Sequence, residues 1–159
     1  TSNVHGMNEI GFIFFIIGFI SMLITLPLVI YRYLKHPNVP DANKPLICIF
    51  TAVLSILIVG YINSSQTMIN EFLLALYLIA CVFYMFALSK FIEYRNLEFY
   101  PSFAAFTFPF VISALATKGI ISKISSIPLL DNILIIETVI ATAIVFYVLI
   151  RYVKFLSRN

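Results

Sequence analysis

The sequence predicts an all-α integral membrane protein built of five transmembrane helices. Hydrophobic residues fill 62% of the 159 positions and charged residues 11%, against about half and about a quarter in soluble domains. Mean hydropathy is +1.04. The apolar residues form blocks near the roughly 20 needed to cross hydrocarbon as a helix, without the alternation of barrel strands. A segment surrounded by lipid must satisfy its own backbone hydrogen bonds, which selects helices.

The expected spans run over about residues 9–34, 44–62, 69–94, 101–122 and 131–156. In the first, Gly11, Gly18, Ser21 and Thr25 share a narrow arc, a small-residue face on which another helix can approach. Pro27 follows and should kink the last turns. The connection from His36 to Pro45 is rich in Pro, Asn and Asp, which favour turns, and Pro45 suits a first helical turn. In the second span Cys48, Thr51 and Ser55 recur at three and four residues as a weakly polar stripe, suited equally to packing and to lining a pore. Tyr61 is expected as an interfacial anchor. The third span, rich in Leu, Phe and Tyr, reads as a lipid-facing support with a solvated exit of Lys90, Glu93, Arg95 and Glu98.

The fourth span has the unusual composition: Tyr100-Pro101-Ser102-Phe103-Ala104-Ala105-Phe106-Thr107-Phe108-Pro109-Phe110 and onward to Thr117. On an α-helical wheel Ser102, Ala105, Phe106, Pro109, Ser113, Ala116 and Thr117 fall within about a third of the circumference, with Phe103, Phe108 and Phe110 away from its centre. A small-residue stripe interrupted by one ring fits a narrow passage with an aromatic plug, or a close-packed interface with Phe106 as its knob. In the fifth span Asp131 is expected as an N-cap. Glu137, two turns inside, is a candidate proton site, because a carboxyl group in a membrane helix is costly to keep.

Several function classes are excluded. The net charge of +3 sits at the ends of apolar blocks as flanking anchors, so nucleic acid is not an expected partner. Cys48 and Cys81 lie inside apolar segments and are expected as free thiols. No CxxC or Cys/His metal spacing occurs, His5 and His36 are expected on opposite faces of the membrane, and no nucleophile is paired with a base. Neither a cofactor nor an enzymatic activity is expected.

Charge also sets the topology. Arg32, Lys35 and Lys44, then Lys90 and Arg95, then Arg151, Lys154 and Arg158 fall on one side; Lys118 and Lys123 fall on the other. The positive-inside rule puts the first set in the cytoplasm, giving a multi-pass cell-membrane protein with an external amino end and a cytoplasmic carboxyl end. An external amino end without a signal sequence predicts a fragment whose parent has an odd number of further spans, five being the expectation for a repeat-built transporter.

The run Phe99 to Pro109, continued by Ser113-Ala114-Leu115-Ala116, resembles the penultimate-helix motif of the tellurite-resistance/C4-dicarboxylate transporter family, which includes the slow-type anion channels of plant guard cells. Lys44-Pro45 is similar to the basic-Pro start of an earlier helix in that family. The resemblance covers the chain as a carboxyl-terminal half. It implies ten helices in five hairpins around a pore, with the second and fourth spans here lining it. It also implies a gating phenylalanine from the penultimate helix, for which Phe108 is the motif match and Phe106 the choice of periodicity. Ala52-Val53 replaces the Ala-Pro expected midway along the second span, and Ala104 and Ala105 stand where aromatic residues are expected.

The expected function is therefore passage of a small anion or C4-dicarboxylate through a phenylalanine-gated pore, with lipid and the missing amino-terminal half as partners and room for a homo-oligomer. A proton-coupled dicarboxylate carrier using Glu137 and a non-transporting membrane scaffold are the alternatives.

Overall fold

The computed structural model describes the backbone of residues 2–65, 69–124 and 127–157, with side chains from residue 9 onward. Arg158 and the side chain of His5 lie outside the described residues. Five helices follow one another: α1 (Ser2–Lys35), α2 (Ile47–Ser64), α3 (Asn70–Tyr94), α4 (Thr107–Lys123) and α5 (Leu129–Leu156). Each contains or extends into a stretch long and apolar enough to cross a membrane, as the hydropathy blocks require.

Short 3-10 segments, Asp41–Leu46 and Pro101–Phe106, lead directly into α2 and α4. They pack against each other, and the Ser102 hydroxyl donates to the Ala42 carbonyl across the contact. A 3-10 turn has three residues rather than 3.6, so Phe103, which the α-helical wheel set away from the stripe, comes onto the side of Phe106. Phe103 and Phe106 stack edge to face with ring centroids 5.4 Å apart, and both are fully buried. Phe110, also expected off the packed face, is fully buried against Tyr84 and Phe91.

Helices α2 and α4 form the centre. Helix α2 touches α1, α3 and α4, while α4 touches α2, α3 and α5. The α2/α4 seam is made of small residues: Ala52, Ser55, Ser113 and Ala116 are buried, and a Cβ on Gly119 would meet Ile62 at 3.0 Å. Helix α1 lies along α2 through Gly11, against Ser64, and Gly18, against Leu57, with Phe15 and Met22 buried between them. Ser21 and Thr25 of the expected stripe are exposed; the contact runs through Gly11, Phe15, Gly18 and Met22.

Three further expectations are corrected. Tyr61 is buried rather than interfacial, and its hydroxyl accepts the Ile69 backbone N–H at 3.0 Å, which ties the start of α3 to the end of α2. Asp131 is not the N-cap: α5 starts at Leu129, with Asp131 in its first turn, where a carboxylate still complements the helix dipole. Helix α3 is more than a lipid-facing support: it leaves Leu78, Val82 and Met85 exposed, yet it packs against both central helices and buries Leu73, Leu76, Tyr77, Ala80 and Ala87.

Candidate functional site

The chemistry-bearing residues converge on the two central helices. On α2, Thr51 Oγ1 donates to the Cys48 carbonyl at 2.6 Å, a local bond typical of hydroxyls in apolar helices. The Cys48 thiol contacts the Ala87 carbonyl of α3 at 3.9 Å. The Ser55 and Ser113 hydroxyls lie 3.1 Å apart across the α2/α4 seam. Cys48 and Cys81 are free thiols.

Farther along α4 a second polar cluster is buried. Thr117 Oγ1 donates to Glu137 Oε2 of α5 at 2.6 Å, and the Tyr77 hydroxyl of α3 lies 3.1 Å from the same Thr117 oxygen. Glu137 is 5% exposed, so the carboxyl sits inside the bundle among α3, α4 and α5. Helix α4 packs over it through Thr117.

The seven residues of the fourth-span stripe divide by environment. Ala105, Phe106, Pro109, Ser113, Ala116 and Thr117 are buried, while Ser102 is half-buried and engaged with Ala42. Phe106 has Phe91 and Phe103 edge-on around it. Phe108, by contrast, is 44% exposed. It shares its side of α4 with Val111 and Leu115, both exposed, at the i, i+3, i+7 spacing of one helix face. Thr117, nine residues after Phe108 and so half a turn away around the axis, points toward α3. On α2, Ile49 and Ile56 are likewise exposed, opposite the fully buried Ile58. The two open stripes therefore lie side by side across the seam from α3, forming an apolar wall in which Phe108 is the aromatic group.

One end of the bundle gathers the positive charge. Lys44 and Lys90 both lie over the Tyr94 ring, at 5.9 and 5.4 Å, and pair with Asp41 at 2.6 Å and Glu93 at 2.7 Å. Arg151 of α5 reaches the same end. Its Nη1 donates to the Arg95 carbonyl at 2.6 Å and its Nη2 to the Leu97 carbonyl at 2.9 Å. The guanidinium lies over the Phe99 and Phe103 rings. Sequence reasoning treated Arg151 as one of a set of flanking cations; nothing in local spacing pairs it with carbonyls more than fifty residues away.

A family sequence model described as "SLAC1: Voltage-dependent anion channel" matches residues 1–153. The chain belongs to the SLAC1 family. No curated protein and no solved structure matches it. SLAC1 membership over nearly the whole chain, with five apolar helices, makes this a multi-pass membrane transport protein. The family description is that of a channel, and among the described residues no group of three or more His, Cys, Asp or Glu could hold a metal ion.

Proposed function

We propose that the chain conducts small anions, inorganic or C4-dicarboxylate, as one half of a ten-helix pore whose lining here is the open face of α2 and α4, gated by Phe108. The observation that carries this reading is the exposure of Phe108 beside Val111 and Leu115 on a wall continued by Ile49 and Ile56. The missing amino-terminal half of the parent protein would face that wall. The Ser and Thr hydroxyls of the seam stand behind it and hold the liners in register. A hydrophobic constriction closes by dewetting and binds anions weakly, which suits rapid release. Positive helix ends at the starts of α2 and α4 supply attraction without a tight site.

Phe106 is the discriminating control. Phe108→Ala in the full-length protein should raise anion flux in proteoliposomes with little loss of stability. Phe106→Ala should destabilise the fold by about 3–5 kcal/mol, the usual range for a buried ring, without a specific gain in flux. A gain from Phe106→Ala and none from Phe108→Ala would reverse the assignment.

The buried Thr117–Glu137 pair favours one second reading, a proton-coupled carrier in which Glu137 is the protonation site. Uptake driven by an inward proton gradient and abolished by Glu137→Gln is its expected signature. Flux indifferent to both the gradient and the substitution leaves Glu137 a structural acid.

A further inference from the structure

On the side away from the open wall two cavities adjoin, one between α1 and α3 and one between the end of α1, the connection into α2 and Tyr94. The backbones of α1 and α3 are held apart by long side chains that meet at separate levels. Phe19 and Phe72 have ring centroids 5.8 Å apart, and the Tyr33 and Tyr94 hydroxyls lie 3.2 Å apart. Next to the second of these contacts an apolar slot of about 330 Å3 opens, walled by Ile30 of α1 and Val82 and Phe86 of α3, and floored by Phe50 of α2. Toward the positive end of the bundle it adjoins a cavity of about 430 Å3, and Val29, Tyr33, Ile47 and Phe50 line both.

The outer cavity is basic. Arg32, His36 and Lys44 line it and no Asp or Glu does. Lys44 is paired with Asp41, whereas Arg32 and His36 make no ion pair among the described residues. The Asn38 and Asn43 amides lie in the same wall. A free anion would use this mouth and leave the slot empty. A neutral lipid would use the slot and leave Arg32 without a counter-charge. An amphiphile with a negative head satisfies both, and the bilayer supplies it at the level where the slot opens, because Val82 and Ile30 are exposed there.

We propose that the cleft between α1 and α3 binds an anionic phospholipid, with its phosphate against Arg32, His36 and Lys44 and one acyl chain in the slot beside Val82. Basic pockets between membrane helices recognise anionic head groups electrostatically, and each buried methylene of the chain adds to retention. Bound lipid would add to the Phe19–Phe72 and Tyr33–Tyr94 contacts that join α1 to α3.

The test uses the full-length protein in detergent, delipidated and titrated with phosphatidylglycerol, phosphatidylcholine of the same chains, or glycerol 3-phosphate, with bound molecules counted by native mass spectrometry. Phosphatidylglycerol should be retained in preference to phosphatidylcholine. Arg32→Gln should weaken it about fivefold, the usual effect of one basic residue near a lipid head. Val29→Phe, which fills the throat between the cavities but leaves every cation, should weaken it at least as much. Equal retention of both lipids overturns the charge recognition. Displacement of phosphatidylglycerol by equimolar glycerol 3-phosphate reduces the site to a free-anion pocket and overturns the acyl slot. Wild-type retention by both variants, with unchanged melting temperatures, overturns the location.

Discussion

Two phenylalanines two residues apart, on either side of the start of α4, have opposite surroundings, and the difference is a matter of direction. Phe106 closes a 3-10 turn and points into the cluster of Phe91, Phe103 and Phe110, whereas Phe108 lies within the first turn of α4 and faces outward. The helical wheel grouped Phe106 with Ala105, Pro109, Ser113, Ala116 and Thr117, and these six are buried together, whereas the motif singles out Phe108 on the exposed side. The local change of pitch was not legible, since Ser102-Phe103-Ala104-Ala105 carries no breaker after Pro101. Arg151 makes the same point about long-range contacts. Its planar fork bridges two carbonyls while its face lies on rings, a combination that an ammonium group does not reproduce. Arg151→Lys should lower stability by about 1–2 kcal/mol, read as a reduced melting temperature in detergent. An unchanged melting temperature would mean that solvent replaces those bonds without cost.

At the scale of elements, existence and type were legible and partnership was not. All five spans were readable because crossing hydrocarbon imposes length and composition on the chain directly. The small-residue signal on α1 pointed to a close helix contact. It did not reveal which helix would fill each face: Gly11 and Gly18 meet α2, but Ser21 and Thr25 face outward. Helix α3 looked peripheral because its apolar composition is the same whether lipid or protein surrounds it. Its buried residues include Tyr77 and Tyr94 beside Leu73, Leu76, Ala80 and Ala87, which read in the sequence as part of a greasy surface. The two polar stripes were visible as stripes, yet only packing reveals that Ser55 and Ser113 satisfy each other, an interaction worth roughly 0.6 kcal/mol on average in membranes.

For the whole molecule, the charge pattern and the fold agree in gathering cations. The connections before α2 and α4, with the end of α5, meet at one end of the bundle, while Lys118 and Lys123 stand in the far half of α4. We propose, from the positive-inside rule, that the gathered end is cytoplasmic. With Cys48 and Cys81 replaced in the full-length protein, a cysteine at Lys123 should react with an impermeant thiol reagent on intact cells. One at Asn43 should react only after permeabilisation, and the reverse pattern would invert the topology. The α2/α4 seam has a consequence for biogenesis. Its two halves are separated in the chain by α3, so they leave the ribosome at different times and α2 reaches the bilayer before its partner exists. Until α4 arrives, Ala52 borders lipid or the insertion machinery and Ser55 lacks Ser113. The contact that holds the centre together is thus among the later ones to form, and the proposed anion-conducting wall has no shape until the second hairpin is in place.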